Sequence, residues 1–174
     1  IGYKGITSNC GSRNILEALG LNPFLPIGKV VESVRETGMG YYDFLNLIVI
    51  EERSGFRSPL HYIAPLCHPL NLTYKVMGCS NERHLEVIEP ILKRVCENYL
   101  LTFNPDIDEI SPLTPTRIVE RRNGTRSDYE LNPLELGLFC KDYREIESPG
   151  TSEESARIAK QIYKGRYRNP CLSK

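Results

Sequence analysis

Residues 71–103 of the chain read NLTYKVMGCSNERHLEVIEPILKRVCENYLLTF. The first part of this stretch predicts a strand over residues 71–76. Leu72, Tyr74 and Val76 alternate with other residues there, so that their side chains share one face. The strand is expected to lead directly into the longest helix of the chain.

Apolar side chains at helical spacing predict that this helix begins at Ser80 or Asn81 and reaches about Phe103. They are Leu85, Ile88, Leu92, Val95, Tyr99 and Phe103. Pro90 lies inside the pattern and predicts a kink or a fresh helix start, because its ring clashes with the carbonyl group one turn earlier.

Upstream, the nearly continuous apolar run 42–50 predicts a central strand that is covered on both faces. His61–Ala64 is expected to form a further short strand. Two short helices are predicted before these strands, over residues 12–19 and 28–37, each followed by a glycine that can end a helix.

Downstream, local signals predict the remaining elements. Thr116–Glu120 and Leu136–Cys140 have strand character, and Asn123-Gly124 suits the tight turn of a hairpin. Thr151 opens a capping box and therefore predicts the start of a last helix.

Short strands mixed with helices, without regular strand–helix–strand alternation, predict the α+β class. We expect a single globular domain over residues 1–174, since neither a repeat nor a linker divides the chain. It would hold a small mixed or antiparallel sheet with three to five helices, stabilised by disulfides.

Charge and hydropathy argue against two classes of protein. Lys plus Arg and Asp plus Glu both number 22, and this balance argues against a nucleic-acid binder. No apolar run approaches the roughly 20 residues that cross a bilayer. The chain starts at Ile1 and not at Met, as a processed protein or an excised domain would.

The cysteines favour an oxidising compartment, because their even number allows three disulfides. They are Cys10, Cys67, Cys79, Cys96, Cys140 and Cys171. Asn71 and Asn123 each begin an N-x-S/T glycosylation signal. These features together predict a secreted or lumenal, disulfide-bonded glycoprotein.

Histidines and cysteines gather between residues 61 and 84, at His61, Cys67, His68, Cys79 and His84. A disulfide-pinned loop, a zinc site and part of a Cys–His active site are the three interpretations. The intervals do not match the close ligand pairs of structural zinc sites, so we predict no metal there. Disulfide bonds are the interpretation that best explains Cys67 and Cys79.

A thiol hydrolase is the alternative function. Cys10 precedes a predicted helix, whose N-terminus favours the thiolate form of a cysteine. His61 would act as the base that activates this nucleophile.

Two charged segments also have candidate roles. The basic side chains around the hairpin predict a contact surface for an anionic partner, formed by Arg117, Arg121, Arg122 and Arg126. Pro105–Glu109 lacks the glycine and the distal glutamate of a calcium loop, so we interpret it as a solvated acidic loop.

The sequence shows no complete catalytic motif, and we therefore predict binding of a protein partner without catalysis and without a cofactor. Ten tyrosines supply contact area of the kind that protein interfaces use. Neither nucleic acid nor a membrane-spanning segment is expected.

Overall fold

A computed structural model describes residues 10–42, 64–68, 70–79, 81–147 and 149–167. The chain divides into two compact units: Ile1–Leu70 with Ser148–Tyr167, and Asn71–Glu147 with Arg168–Lys174. The single domain over residues 1–174 stays a prediction.

Four helices and four strands are described. The helices are α1 (Ser12–Ala18), α2 (Ile27–Thr37), α3 (Glu82–Val95) and α4 (Ser152–Tyr163). The strands are β1 (Tyr74–Cys79), β2 (Asn98–Phe103), β3 (Thr116–Arg122) and β4 (Thr125–Leu131). Short 3₁₀ turns occupy Ala64–Leu66 and Tyr143–Glu145.

The first unit contains α1, α2 and α4, and α1 packs against α4. Local chemistry sets the end of α2 and the start of α4 as the sequence predicts. Gly38 ends α2 with φ at 77°, in the left-handed region that glycine adopts without strain. Thr151 caps α4, because its hydroxyl oxygen accepts the Glu154 backbone N–H.

The second unit is built on a sheet in the order β1-β2-β3-β4. β1 and β2 are parallel and α3 connects them, whereas β2–β3 and β3–β4 are antiparallel. Leu85, Ile88 and Leu92 form the buried stripe of α3. The core of this unit also contains Tyr99 and Leu101 from β2 and Val119 from β3. Burial of these apolar side chains stabilises the packing of the helix against the sheet.

The α+β prediction is wrong because β1, α3 and β2 form a parallel strand–helix–strand unit. The predicted helix to Phe103 ends instead at Val95, and the backbone at Cys96 is already extended. Tyr99 and Leu101 are buried in β2 at every second residue, which is strand periodicity. The helix itself runs through Pro90 without a break.

Two other strands also differ from their predictions. β1 covers Tyr74–Cys79 and not residues 71–76. Tyr74 and Val76 share its exposed face, whereas Met77 and Cys79 are buried. Leu136–Cys140, predicted as a strand, forms turn and loop structure. The predicted hairpin at Asn123-Gly124 is confirmed, with both residues at positive φ.

Part of the predicted architecture lies outside the described residues. This applies to most of the strand 42–50 and to the strand that begins at His61. Within the described ranges, no helix has the length and apolar character that crossing a bilayer requires.

Candidate functional site

The two parallel strands end at one side of the sheet, which we call the carboxyl edge. β1 ends there at Cys79 and β2 at Phe103, and these two residues pair in register. The loop 104–115 leaves β2 at this edge and carries three exposed carboxylates, Asp106, Asp108 and Glu109. Ligands of open α/β sheets bind outside the carboxyl ends of the strands, so the loop is the candidate site.

A buried asparagine organises the first half of this loop. Asn104 is only 1% exposed. Its side-chain amide donates to Thr114 Oγ1 and to the Pro115 carbonyl oxygen, both at 2.9 Å. Its Oδ1 accepts the backbone N–H of Asp106 at 2.9 Å. These hydrogen bonds hold the two ends of the loop together.

Two buried hydroxyls organise the second half. Thr116 Oγ1 accepts the Ser111 backbone N–H at 2.9 Å. Ser111 Oγ in turn accepts the backbone N–H groups of Leu113 and Thr114 at 3.1 and 3.2 Å. A buried polar network with its hydrogen bonds made favours one conformation. The exposed carboxylates are thus displayed on a loop of defined shape.

Asp108 lies against the ends of both parallel strands. Thr102 Oγ1 donates to the Asp108 carbonyl oxygen at 3.1 Å. Gly78 comes so close that an added Cβ would overlap this oxygen and lie 2.8 Å from the carbonyl carbon. Burial, and to a smaller extent the Asp108 charge, raise the pKa of the Cys79 thiol to about 11.

The arginines predicted to bind an anionic partner lie on β3 and β4, and two of them form ion pairs. Arg117 contacts Glu82 and Asp128, both at 2.9 Å, and Arg126 contacts Glu89 at 2.6 Å. The hydrogen bond from Arg126 lowers the pKa of Glu89, and the one from Arg117 lowers the pKa of Asp128. These two guanidiniums connect α3 to the hairpin; binding of an anionic partner by the four arginines stays a prediction.

Only Cys10 of the predicted catalytic pair lies among the described residues. Cys10 is a half-buried residue that precedes α1 in the first unit. His61 lies outside the described residues. Of the other members of the histidine–cysteine stretch, Cys67 and His68 belong to the first unit, whereas Cys79 and His84 belong to the second.

The predicted set of three disulfides is wrong. Cys67 is an exposed free thiol, and Cys79 and Cys96 are buried free thiols. Cys140 is disulfide-bonded, and Cys171 lies outside the described residues. Because three of the six cysteines are unpaired, the chain cannot form the three disulfides that were predicted.

A family model described as the glycosyl transferase family, a/b domain, matches residues 1–171. The chain belongs to this family. The a/b description agrees with the β1–α3–β2 unit and replaces the predicted fold class.

Relatives of this glycosyl transferase domain have one recurrent name. The chain is 30% identical over 174 residues to the anthranilate phosphoribosyltransferase of Clostridium kluyveri, covering 95% of this chain and 52% of the relative. A structure of anthranilate phosphoribosyltransferase from Saccharomyces cerevisiae in complex with 4-fluoroanthranilate matches with a TM-score of 0.76 and 17% identity, covering 92% of this chain and 49% of that one.

A serine-to-alanine variant of the Saccharomyces cerevisiae enzyme, with Mg bound, also has a TM-score of 0.76 at 17% identity. It covers 98% of this chain and 50% of its own length. The chain therefore spans about half the length of these relatives. At this identity, the likeness to the solved structures establishes the fold.

These matches overturn the predicted function and location. The secreted, non-catalytic binding domain and the thiol hydrolase are both wrong, because the relatives are phosphoribosyltransferases. The predicted secreted or lumenal location is wrong for the same reason. The matches do not support glycosylation at Asn71 and Asn123. They do not support binding of a protein partner either.

Sequence reasoning missed the carboxylates of the loop as functional candidates. It treated Pro105–Glu109 as a solvated acidic segment, which describes their exposure but not their place in the sheet. The available signal was the segment NYLLTF at Asn98–Phe103. Had it been interpreted as a parallel strand, Asp108 and Glu109 would have followed its carboxyl end.

Proposed function

We propose that this chain provides the cation-binding and phosphate-binding edge of an anthranilate phosphoribosyltransferase. The reaction would transfer the phosphoribosyl group of a donor, phosphoribosyl diphosphate, to the amino nitrogen of anthranilate, with diphosphate as the leaving group. The proposal depends chiefly on one observation, that a hydrogen-bonded loop presents Asp108 and Glu109 at the carboxyl ends of the parallel strands β1 and β2. Family membership and the names of the relatives support it.

The donor atoms at this edge fit a magnesium ion. Asp108 and Glu109 offer exposed carboxylate oxygens, the ligand type that Mg²⁺ prefers. Among the described residues, no group of three or more His, Cys, Asp or Glu could hold a metal ion. A magnesium site of the usual kind would instead combine one or two carboxylates with substrate phosphates and water.

Asp108 and Glu109 would therefore hold the cation on the protein side, with the phosphate oxygens of the donor on the other side. A cation bound there would neutralise the negative charge of those phosphates and of the leaving group. The chain's own contribution is positional, because Asn104, Ser111 and Thr116 keep the loop in one conformation. Positioning of this kind reduces the entropy that a productive complex must lose.

Calorimetric titration of this chain with phosphoribosyl diphosphate, with and without Mg²⁺, tests the proposal. We expect binding that requires Mg²⁺ and that is weakened by Asp108→Asn and by Glu109→Gln. Removing a charged ligand from a site of this kind weakens affinity by about tenfold or more, since charge-assisted contacts contribute about 1.5–3 kcal/mol each.

Glu97→Gln is the matched control, since Glu97 is an exposed carboxylate just before β2, at the opposite edge of the sheet. It should bind as the unmodified chain does. Absence of Mg²⁺-dependent binding in the unmodified chain, or an equal loss in Glu97→Gln, would contradict the proposed function.

A further inference from the structure

Gly78 and Thr102 occupy paired positions on the two parallel strands, because they are partners in the β1–β2 register. Both contact the same main-chain group, the carbonyl of Asp108. Two neighbouring strands thus meet a single point of the acidic loop.

The contact at Gly78 is steric. An added Cβ would overlap the Asp108 carbonyl oxygen, and its next nearest neighbours would be the carbonyl carbon at 2.8 Å and the Asp108 Cβ at 3.2 Å. Because two of these three atoms are backbone, a side chain at position 78 must displace the loop itself. Glycine is required here for close approach of two main chains.

The contact at Thr102 is polar. Thr102 is only 4% exposed. Its hydroxyl donates to the Asp108 carbonyl oxygen at 3.1 Å. Replacing the hydroxyl by a methyl group would leave that carbonyl without this donor while keeping the volume of the side chain. An acceptor that loses its partner in a partly buried position destabilises the conformation that holds it there.

We propose that Gly78 and Thr102 are positioning residues that fix the Asp108 main chain, so that the carboxylates of Asp108 and Glu109 meet the cation together. This inference rests on the proposed function. Mg²⁺ demands near-ideal octahedral geometry, so a small displacement of its carboxylates lowers affinity. Partners that orient metal ligands without touching the metal commonly affect affinity by about 10- to 100-fold.

The test measures the Mg²⁺ concentration that gives half-maximal binding of phosphoribosyl diphosphate, together with donor affinity at saturating Mg²⁺ and the melting temperature. For Thr102→Val we expect the half-maximal Mg²⁺ concentration to rise by about 10- to 100-fold. Donor affinity at saturating Mg²⁺ should change little. Thr102→Ser retains the hydroxyl and should restore most of the Mg²⁺ affinity, whereas Gly78→Ala should weaken it at least as much as Thr102→Val.

Cys96→Ala is the control for a merely structural effect. Cys96 is buried at the opposite edge of the sheet, where its thiol donates to the Asn98 carbonyl oxygen at 3.0 Å. This variant should lower the melting temperature without changing the Mg²⁺ requirement. Its melting temperature shows how much of any effect of Thr102→Val follows from lost stability alone.

The outcomes separate the two proposals. If the unmodified chain binds the donor with Mg²⁺ but Thr102→Val and Gly78→Ala have unchanged Mg²⁺ requirements, the positioning role is overturned and the proposed function stands. An equal shift in Thr102→Val and Cys96→Ala also overturns it. If the unmodified chain shows no Mg²⁺-dependent binding, both proposals fail.

Discussion

At the scale of single residues, the Cys79 thiol is a protected group beside the proposed site. It is fully buried, and its pKa is raised to about 11 by burial and by the Asp108 charge. A thiol with such a pKa stays protonated at neutral pH, and a protonated thiol is a poor nucleophile and a poor metal ligand. Cys79 therefore contributes packing at the carboxyl edge, and not the thiol chemistry that a cysteine-rich sequence suggests.

The described free thiols should differ in reactivity because they differ in burial. Cys67 is exposed, whereas Cys79 and Cys96 are buried. At pH 8 a thiol with a pKa of about 11 is ionised in only about one molecule in a thousand, and burial slows its reaction further. Iodoacetamide should label Cys67 rapidly in the folded chain and should label Cys79 and Cys96 only after unfolding.

Site-resolved mass spectrometry measures these rates, and the same labelling in urea is the control. Labelling of Cys79 as fast as that of Cys67 under native conditions would contradict the described burial. Failure of Cys79 or Cys96 to react in urea without a reductant would show a disulfide where the structure has free thiols.

At the scale of secondary-structure elements, local signals were reliable where backbone chemistry alone decides. The left-handed residue that ends α2, the cap of α4 and the Asn123-Gly124 turn follow from the conformations that these residue types adopt most easily. Such signals do not depend on the rest of the fold. They could therefore be predicted from the sequence.

The boundary between α3 and β2 could not be predicted in the same way. Val95, Tyr99 and Phe103 continue the helical spacing of the preceding residues, yet Tyr99 and Leu101 also alternate as a strand requires. Burial against α3 and pairing with β1 and β3 decide in favour of the strand. Tertiary contacts of this kind override local propensity.

The same substitution should have opposite effects on stability at Gly124 and at Gly28. Gly124 lies in the hairpin turn at a φ of 81°, and an added Cβ there would meet nothing within 4 Å. Gly124→Ala should lower the free energy of unfolding by about 1–2 kcal/mol, because left-handed backbone is unfavourable for a residue with a side chain. Urea unfolding followed by circular dichroism measures the change.

Gly28→Ala is the matched control. Gly28 lies inside α2 and also has open space at the position of an added Cβ. Alanine should stabilise the chain there by about 0.4–1 kcal/mol, since it restricts the unfolded state without strain in the helix. Two changes of the same sign would show that backbone conformation does not control the effect.

At the scale of the whole molecule, the proposed site depends on topology more than on any motif. Asp106, Asp108 and Glu109 are ordinary exposed carboxylates when considered along the sequence. They become a candidate site because β1 and β2 are parallel and end together, with Thr102 and Gly78 fixing the loop between them. A prediction that missed the parallel pair had no physical reason to choose these carboxylates.

The location of the cation on the sheet is the central claim, and paramagnetic NMR tests it most directly. The hairpin tip at Asn123-Gly124 lies at the opposite edge, about 20 Å from the carboxyl edge by the length of a six-residue strand. With phosphoribosyl diphosphate present, Mn²⁺ in place of Mg²⁺ should broaden the amide signals of Ile107–Ile110 and leave those of Asn123 and Gly124 sharp. Broadening centred on the hairpin tip, or none in the loop, would contradict the account.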